Sequence, residues 1–384
     1  MRALLASSLG LPGMEELLAM EPPQQGLAYR FTHYDEQALP QSQLLAGDPD
    51  RYRIDSHQLR WVQNIDQSYT LTVGYLHEAL SGSSPWYVIP DSEGRSLQVM
   101  SGATIREKRD QLDLGLGLTN AATRHEIGLG YSTEDDYEAV YGSYSGRRET
   151  ADGLGEFSFG LSYSDDKVEP SDAAEYGRIE RASREAGSAS LGFSQVLNRN
   201  AVIQTGLSVT RQTGFLSDPY KYVLVGQSLL PDQRPDERVL MAFTTRFRQY
   251  LEKTTGAVQL DYRYYQDSWD IRAHTLEAAF AQPLGEDWEL TPGLRYHSQN
   301  GADFYAPYFA VVPEHSYWSS DYRLATYGAL SYRLSLQWQQ GDYRLQAGAE
   351  YYNSEGSLAL SGTAQDTPGL VDFWRLSLAF SVNL

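Results

Sequence analysis

Trp374-Arg375-Leu376-Ser377-Leu378-Ala379-Phe380-Ser381-Val382-Asn383-Leu384 closes the chain with a large apolar residue at every second position and small or polar residues between. Successive side chains of an extended strand point to opposite faces, so this run has one greasy face and one that suits water or a polar filling. That is the pattern of a transmembrane β-barrel strand, whose outer face meets lipid. The device recurs upstream. Leu112, Leu114, Leu116 and Leu118 alternate with Asp113, Gly115, Gly117 and Thr119; after the Asn120-Ala121 turn, His125, Ile127, Leu129 and Tyr131 alternate with Arg124, Glu126, Gly128 and Gly130. Counted along the chain, period-2 runs of this kind give about sixteen strands.

Composition bounds the alternatives. Hydrophobic residues make up 41% and the mean hydropathy is -0.47, and no apolar stretch reaches the roughly 18 residues that a transmembrane helix needs. A barrel exposes alternate residues to lipid, so a polar average fits it; so does a Tyr-rich soluble β-sandwich or solenoid. The 28 Tyr, beside 7 Trp and 12 Phe, suit the two membrane interfaces, where amphipathic rings collect. There are no cysteines, which removes thiol chemistry and disulfides. A net charge of -19 argues against a nucleic-acid partner, which needs a basic footprint. Much of the acid sits in expected connections such as Glu134-Asp135-Asp136 and Ser164-Asp165-Asp166. These read as solvated loops, with divalent-ion bridging to lipopolysaccharide as the alternative.

The connections separate barrel from sandwich. Turns such as Asp66-Gln67, Leu197-Asn198-Arg199-Asn200, Pro283-Leu284-Gly285 and Gln340-Gly341-Asp342 alternate with longer stretches, among them 79–102, 213–236, 300–320 and 353–370. Short periplasmic turns with longer extracellular loops, and an even strand count that puts both ends in the periplasm, are the rule of bacterial outer-membrane barrels. A sandwich has no reason to keep that parity. The expectation is therefore all-β: a transmembrane antiparallel up-and-down barrel over 25–384, contacting outer-membrane lipid and lipopolysaccharide. Residues 1–24, with Arg2 before an apolar run to Leu11, read as a signal peptide or an N-terminal extension that plugs the barrel.

On the inward face the alternation places charges that lipid would not tolerate: Arg30, Arg60, Asp113, Arg124, Glu126, Asp261, Arg263, Glu277, Glu289, Arg295, Arg323, Arg333, Arg344, Glu350 and Arg375. They line a polar conduit or form a paired network that stiffens the interior. Neither sign dominates, so no ion selectivity is inferred. Two loop segments stand out, Ser217-Asp218-Pro219-Tyr220-Lys221 and Asp303-Phe304-Tyr305. Asp-Pro forms turns, and the flanking aromatics suit a loop folded over the mouth or a ligand site there. His297 beside Ser298 is the one histidine at an inward position with a nucleophile as neighbour, but a hydrolase needs the two aligned and oriented by a third group. The glycines at 115, 117, 128 and 130 imitate a nucleotide motif without the helix that the motif requires. No cofactor or metal is expected.

Several segments carry a resemblance: Phe215 to Lys221, Ile271-Arg272-Ala273-His274-Thr275-Leu276, Thr291-Pro292-Gly293-Leu294-Arg295-Tyr296, Ala302-Asp303-Phe304-Tyr305 and Gly130-Tyr131-Ser132-Thr133-Glu134. The chain resembles, over nearly its whole length, the Gram-negative family catalogued as domain of unknown function 3570. The resemblance implies an outer-membrane protein without an assigned activity or catalytic residues. It also implies a genomic neighbourhood of a flavin transferase and thioredoxin-like periplasmic proteins, hence a periplasmic redox partner. The closing strand resembles the signal read by the barrel-assembly machinery, with Leu384 in place of the commoner terminal Phe. Three functions follow in order: a non-enzymatic channel or transport barrel, a plugged scaffold that docks a partner, and a hydrolase built on His297 or Ser298.

Overall fold

The structure is a computed structural model that describes residues 25–101, 105–314, 316–363 and 365–384; the expected signal or extension at 1–24 lies outside the described residues. In chain order the strands are β1 (Gly26–Glu36), β2 (Leu44–Ala46), β3 (Arg53–Asn64), β4 (Tyr69–Gly82), β5 (Pro85–Pro90), β6 (Ser96–Met100) and β7 (Ile105–Thr119). Then come β8 (Thr123–Thr133), β9 (Tyr137–Glu149), β10 (Gly155–Val168), β11 (Ala182–Asn198), β12 (Ala201–Gly214), β13 (Tyr222–Val225) and β14 (Ser228–Pro231). The last are β15 (Glu237–Leu251), β16 (Gly256–Asp267), β17 (Arg272–Leu284), β18 (Trp288–Gln299), β19 (Tyr327–Gln340), β20 (Tyr343–Glu355) and β21 (Phe373–Asn383).

Sixteen of these close one barrel in sequence order, and β1 meets β21 along the seam Gly26↔Asn383 to Glu36↔Phe373. Closure leaves no strand edge, which is what lets a sheet stand in lipid with every backbone group paired. At the seam Gly26 has φ 145, and a Cβ there would lie 1.9 Å from the Val382 carbonyl oxygen. No L side chain fits that position.

The closing strand keeps its alternation in space: Leu378 is 61% exposed, whereas Ser377 and Ala379 are 8% and 7% exposed. Leu112, Leu114, Leu116 and Leu118 of β7 stand on the same outer surface. On the inner face Tyr141 of β9 reaches over Gly130 of β8 to donate to Asp113 of β7 at 2.5 Å. A Cβ at Gly130 would lie 2.1 Å from the tyrosine ring, so here the inward glycine makes room for an aromatic crossbeam.

At one end the turns hold two to five residues; at the other, most connections are long and carry β2, β5, β6, β13 and β14. Besides the short strands within the long connections, two differences from the sequence reading have a visible cause. Asp165 and Asp166 belong to β10, because Asp166 has a buried partner, Arg184 of β11, at 2.7 Å. Tyr322–Leu324 is a 3-10 turn, so the strand that follows the long stretch 300–320 begins only at Tyr327. Asp321 caps that turn by accepting the Arg323 backbone N–H, which ends the extended run.

Candidate functional site

At the long-loop end the connections fold into a lid. The β12–β15 connection carries the β13–β14 hairpin, and the β18–β19 connection bridges to it through Val225↔Phe309 and Gln233↔Trp318. Trp318 Nε1 donates to the Pro231 carbonyl at 2.9 Å. Leu216, Trp269, Ile271, Phe304, Tyr305 and Leu324 form an apolar core beneath these loops. A second loop sheet joins β2 parallel to β6, and β6 antiparallel to β5, tying the β1–β3 and β4–β7 connections together.

The lid also buries an ionic network. Asp218, Lys221, Asp232, Arg234 and Asp321 are each no more than 5% exposed. Arg234 donates to Asp232 at 2.7 Å and to Asp321 at 2.9 Å. Arg323 donates to Asp321 at 2.9 Å and to Asp218 at 3.1 Å. Lys221 Nζ donates to the Pro85 carbonyl at 3.2 Å, which links this network to the β4–β7 connection. Burial pushes the Asp321 carboxyl up, but Arg323, Lys221 and Arg234 outweigh it and hold the group well below the usual range. Burial pushes Lys221 down and Asp232 up. Charges withdrawn from water this completely persist only when each has partners of good geometry.

The mouth residues singled out in the sequence all belong to this lid. Ser217 Oγ accepts the Arg234 N–H at 2.9 Å, and Asp218 Oδ1 accepts the Tyr220 N–H across Pro219 at 3.0 Å. The Tyr220 hydroxyl donates to Asp136 in the β8–β9 turn. The Asp303 N–H donates to the Trp269 carbonyl at 3.2 Å. Phe304 is 1% exposed, and Tyr305 OH reaches Thr367 Oγ1 at 3.5 Å. No local signal marks the remaining members, Asp232, Arg234 and Asp321, whose partners lie up to 87 residues away.

The inner wall beneath the lid divides the expected lining set. Glu277 of β17 accepts from Arg333 of β19 at 2.7 Å; Arg333 also donates to Glu350 of β20 at 3.1 Å, and Glu350 pairs with Arg375 of β21 at 2.6 Å. Asp261 pairs with Arg248 on the neighbouring strand. Arg344 donates to Gln339 at 3.2 Å near the short-turn end. Arg60 of β3 and Arg124 of β8 are exposed, and Glu126 of β8 is partly exposed. Arg30 and Arg375 line a cavity of about 170 Å³ with Thr32, Ser56, Gln58 and Glu78. Arg323 is corrected: it sits in the lid's 3-10 turn and not on a strand, since its guanidinium is held by Asp321 and Asp218.

His297 and Ser298 point to opposite faces of β18. His297 Nδ1 lies 2.9 Å from Thr275 Oγ1, whereas Ser298 Oγ accepts the Leu360 N–H at 2.9 Å. Neighbouring strand residues diverge in this way by geometry, so these two do not form a nucleophile–base pair. Among the described residues no group of three or more His, Asp or Glu is placed to hold a metal.

A closed sixteen-stranded antiparallel wall with an apolar outer belt, short turns at one end and long loops at the other is a transmembrane barrel of the outer-membrane class. The chain belongs to the family described as protein of unknown function DUF3570, whose model matches residues 1–373. No functionally curated protein matches it. Among solved structures it is similar to the siderophore receptor PirA from Pseudomonas aeruginosa, with 10% identity and a TM-score of 0.45 over 88% of this chain and 57% of that one. It is also similar to a bacterial polysaccharide outer membrane secretin (8% identity, TM-score 0.49, 94% and 99% covered). A third is the deltaS2 mutant of the TodX monoaromatic hydrocarbon channel (10%, 0.45, 99% and 94%). The chain thus spans 57% of the length of the siderophore receptor, and at such identities the likeness is one of fold alone.

Proposed function

We propose that this protein is a gated transport barrel of the Gram-negative outer membrane, non-enzymatic, whose extracellular mouth is held shut by the ion-paired lid. The observation that carries the reading is the buried Asp218–Arg323–Asp321–Arg234–Asp232 chain, which joins two long loops over the mouth. A general diffusion pore gains nothing from so costly a closure, because buried ion pairs stabilise less than apolar packing of the same volume. Their value is specificity: the network has one satisfied arrangement, and removing any member releases it.

The test is conductance of the refolded protein in planar bilayers. Wild type should show rare openings, and Asp321→Ala, which leaves Arg234 and Arg323 short of a partner, should show frequent steps of current. Steady porin-like conductance of wild type would overturn the gate; silence of both proteins would overturn transport and leave a sealed barrel that serves as a docking scaffold.

A further inference from the structure

On β16 and β18 two inward arginines stand outside the ion pairs of the neighbouring strands. Asp261 is taken by Arg248, Glu277 by Arg333, and Glu350 by Arg333 and Arg375. Arg263 of β16 and Arg295 of β18 face the same interior without a hydrogen-bond or ion-pair partner among the described residues. Nε and Nη2 of Arg263 are buried and unpartnered, and so is Nη2 of Arg333. The Arg263 guanidinium lies 5.6 Å from the Tyr265 ring centre, a contact that leaves its N–H groups free for another acceptor.

Register brings the three together. Arg263 stands opposite Thr275, and Thr275 opposite His297, on one row across β16, β17 and β18. Arg295 lies two residues along β18 from His297, opposite Ser331, and Arg333 two residues along β19 from Ser331. Arg295 is within electrostatic reach of both Arg263 and Arg333. Glu277 and Glu350 also face Arg295, but both already accept from Arg333. The row sits directly under the lid, because Gln299 at the top of β18 donates to the carbonyls of Arg323 and Ala325 at 3.0 and 2.8 Å.

We infer that Arg263, Arg295 and the free edge of Arg333 form an oxyanion-binding site on the inner wall, and that the solute class of this barrel is small molecules bearing carboxylate or phosphate groups. A guanidinium does not lose its proton, so clustered and partly dehydrated arginines must be relieved by an anion or by water. Their planar forks match the two oxygens of a carboxylate or phosphate. His297 is held at Nδ1 by Thr275 and at Nε2 by Gln299, at 2.9 and 3.4 Å, so the arginines alone supply free donors in this row. The expected lining set holds nine arginines and six carboxylates, and assigning the pairs places two of the arginines, Arg263 and Arg295, outside them. The inference takes its physiological meaning from the gated-transport reading, but the site stands on its own geometry.

Calorimetric titration of the detergent-solubilised full chain with inorganic phosphate and with citrate, at constant ionic strength against a chloride control, tests it. Wild type should bind at least one of the two, and Arg263→Gln/Arg295→Gln should weaken that binding at least about ten-fold. If the double variant yields no heat-modifiable band, Arg295→Lys, which keeps the charge and loses the fork, should weaken binding in the same direction. Absence of binding to wild type, or equal affinity in a folded variant, overturns the site. A second arm measures reversal potential across Asp321→Ala in a potassium chloride gradient, where preference for chloride is expected. Binding without conductance removes the channel and keeps the site; conductance with neither binding nor anion preference removes the site and keeps the channel.

Discussion

The lid and the wall solve the same problem, keeping polar groups in a protein surrounded by lipid, in opposite ways. Along the wall, backbone groups are satisfied by neighbouring strands, apolar side chains go outward, and charges pair across one to three strands, as Glu277, Arg333, Glu350 and Arg375 do. In the lid, connections far apart in sequence must find one another, and charges are buried more deeply than in most of the wall: Asp321 is 0% exposed and Arg234 5%. The wall therefore takes its order from nearest-neighbour strands. The lid is a unit that holds or releases as a whole.

The largest expected effect comes from removing one partner of the lid network. Asp321→Ala should cost the lid about 3–5 kcal/mol, the usual penalty for stranding a buried charge, while the barrel itself persists. Limited proteolysis should cut 300–326 in the variant and spare wild type, with heat-modifiable migration unchanged; equal resistance would show that lid and wall are one cooperative unit. Acid should act on the same group. The folded-state carboxyl of Asp321 lies well below the ordinary value of 3.8, so its contribution is complete above that value and is lost as pH falls through the depressed one. Asp232, pushed up by burial, opposes this trend. Proteolytic opening of wild type should therefore begin below about pH 4, and Asp321→Ala should lack that step.

Next in size is the lipid face. Leu114→Arg places a charge within the apolar belt and should cost about 2–4 kcal/mol near mid-bilayer, read as a lower unfolding midpoint in urea with liposomes. The same change at Gln111, on the inner face of the same strand, should cost far less. Equality of the two would mean that the outer face does not meet lipid. Smallest is the exposed rim pair Lys167–Glu138 at 3.2 Å, where Lys167→Ala should leave the unfolding midpoint where it is.

Much of the wall was legible because its signal is local. Leu112 to Leu118 and Trp374 to Leu384 announce their outer face within a few residues, and turn length announces which end is which. The wall position expected for Arg323 and the loop assigned to Asp165 and Asp166 fail for a common reason: a cap in one case and a buried Arg184 in the other override the local pattern. The mouth segments at 217–221 and 303–305 carried a turn and aromatic signal, but Asp232, Arg234 and Asp321 carried none, since a charged residue in a loop ordinarily faces water. Arg263 and Arg295 were recognisable as inward, yet nothing local distinguished them from Arg333 and Arg375, which have partners.

By itself the sequence determined a closed, membrane-spanning wall of alternating strands, because side-chain direction in a strand depends on nothing beyond residue parity. Tertiary structure decided which charges cancel, which remain on the inner wall, and that the long loops lock together above them. Pairing depends on strand register and on docking of loops far apart in sequence, as between Lys221 and Pro85, 136 residues apart, and no local pattern encodes that.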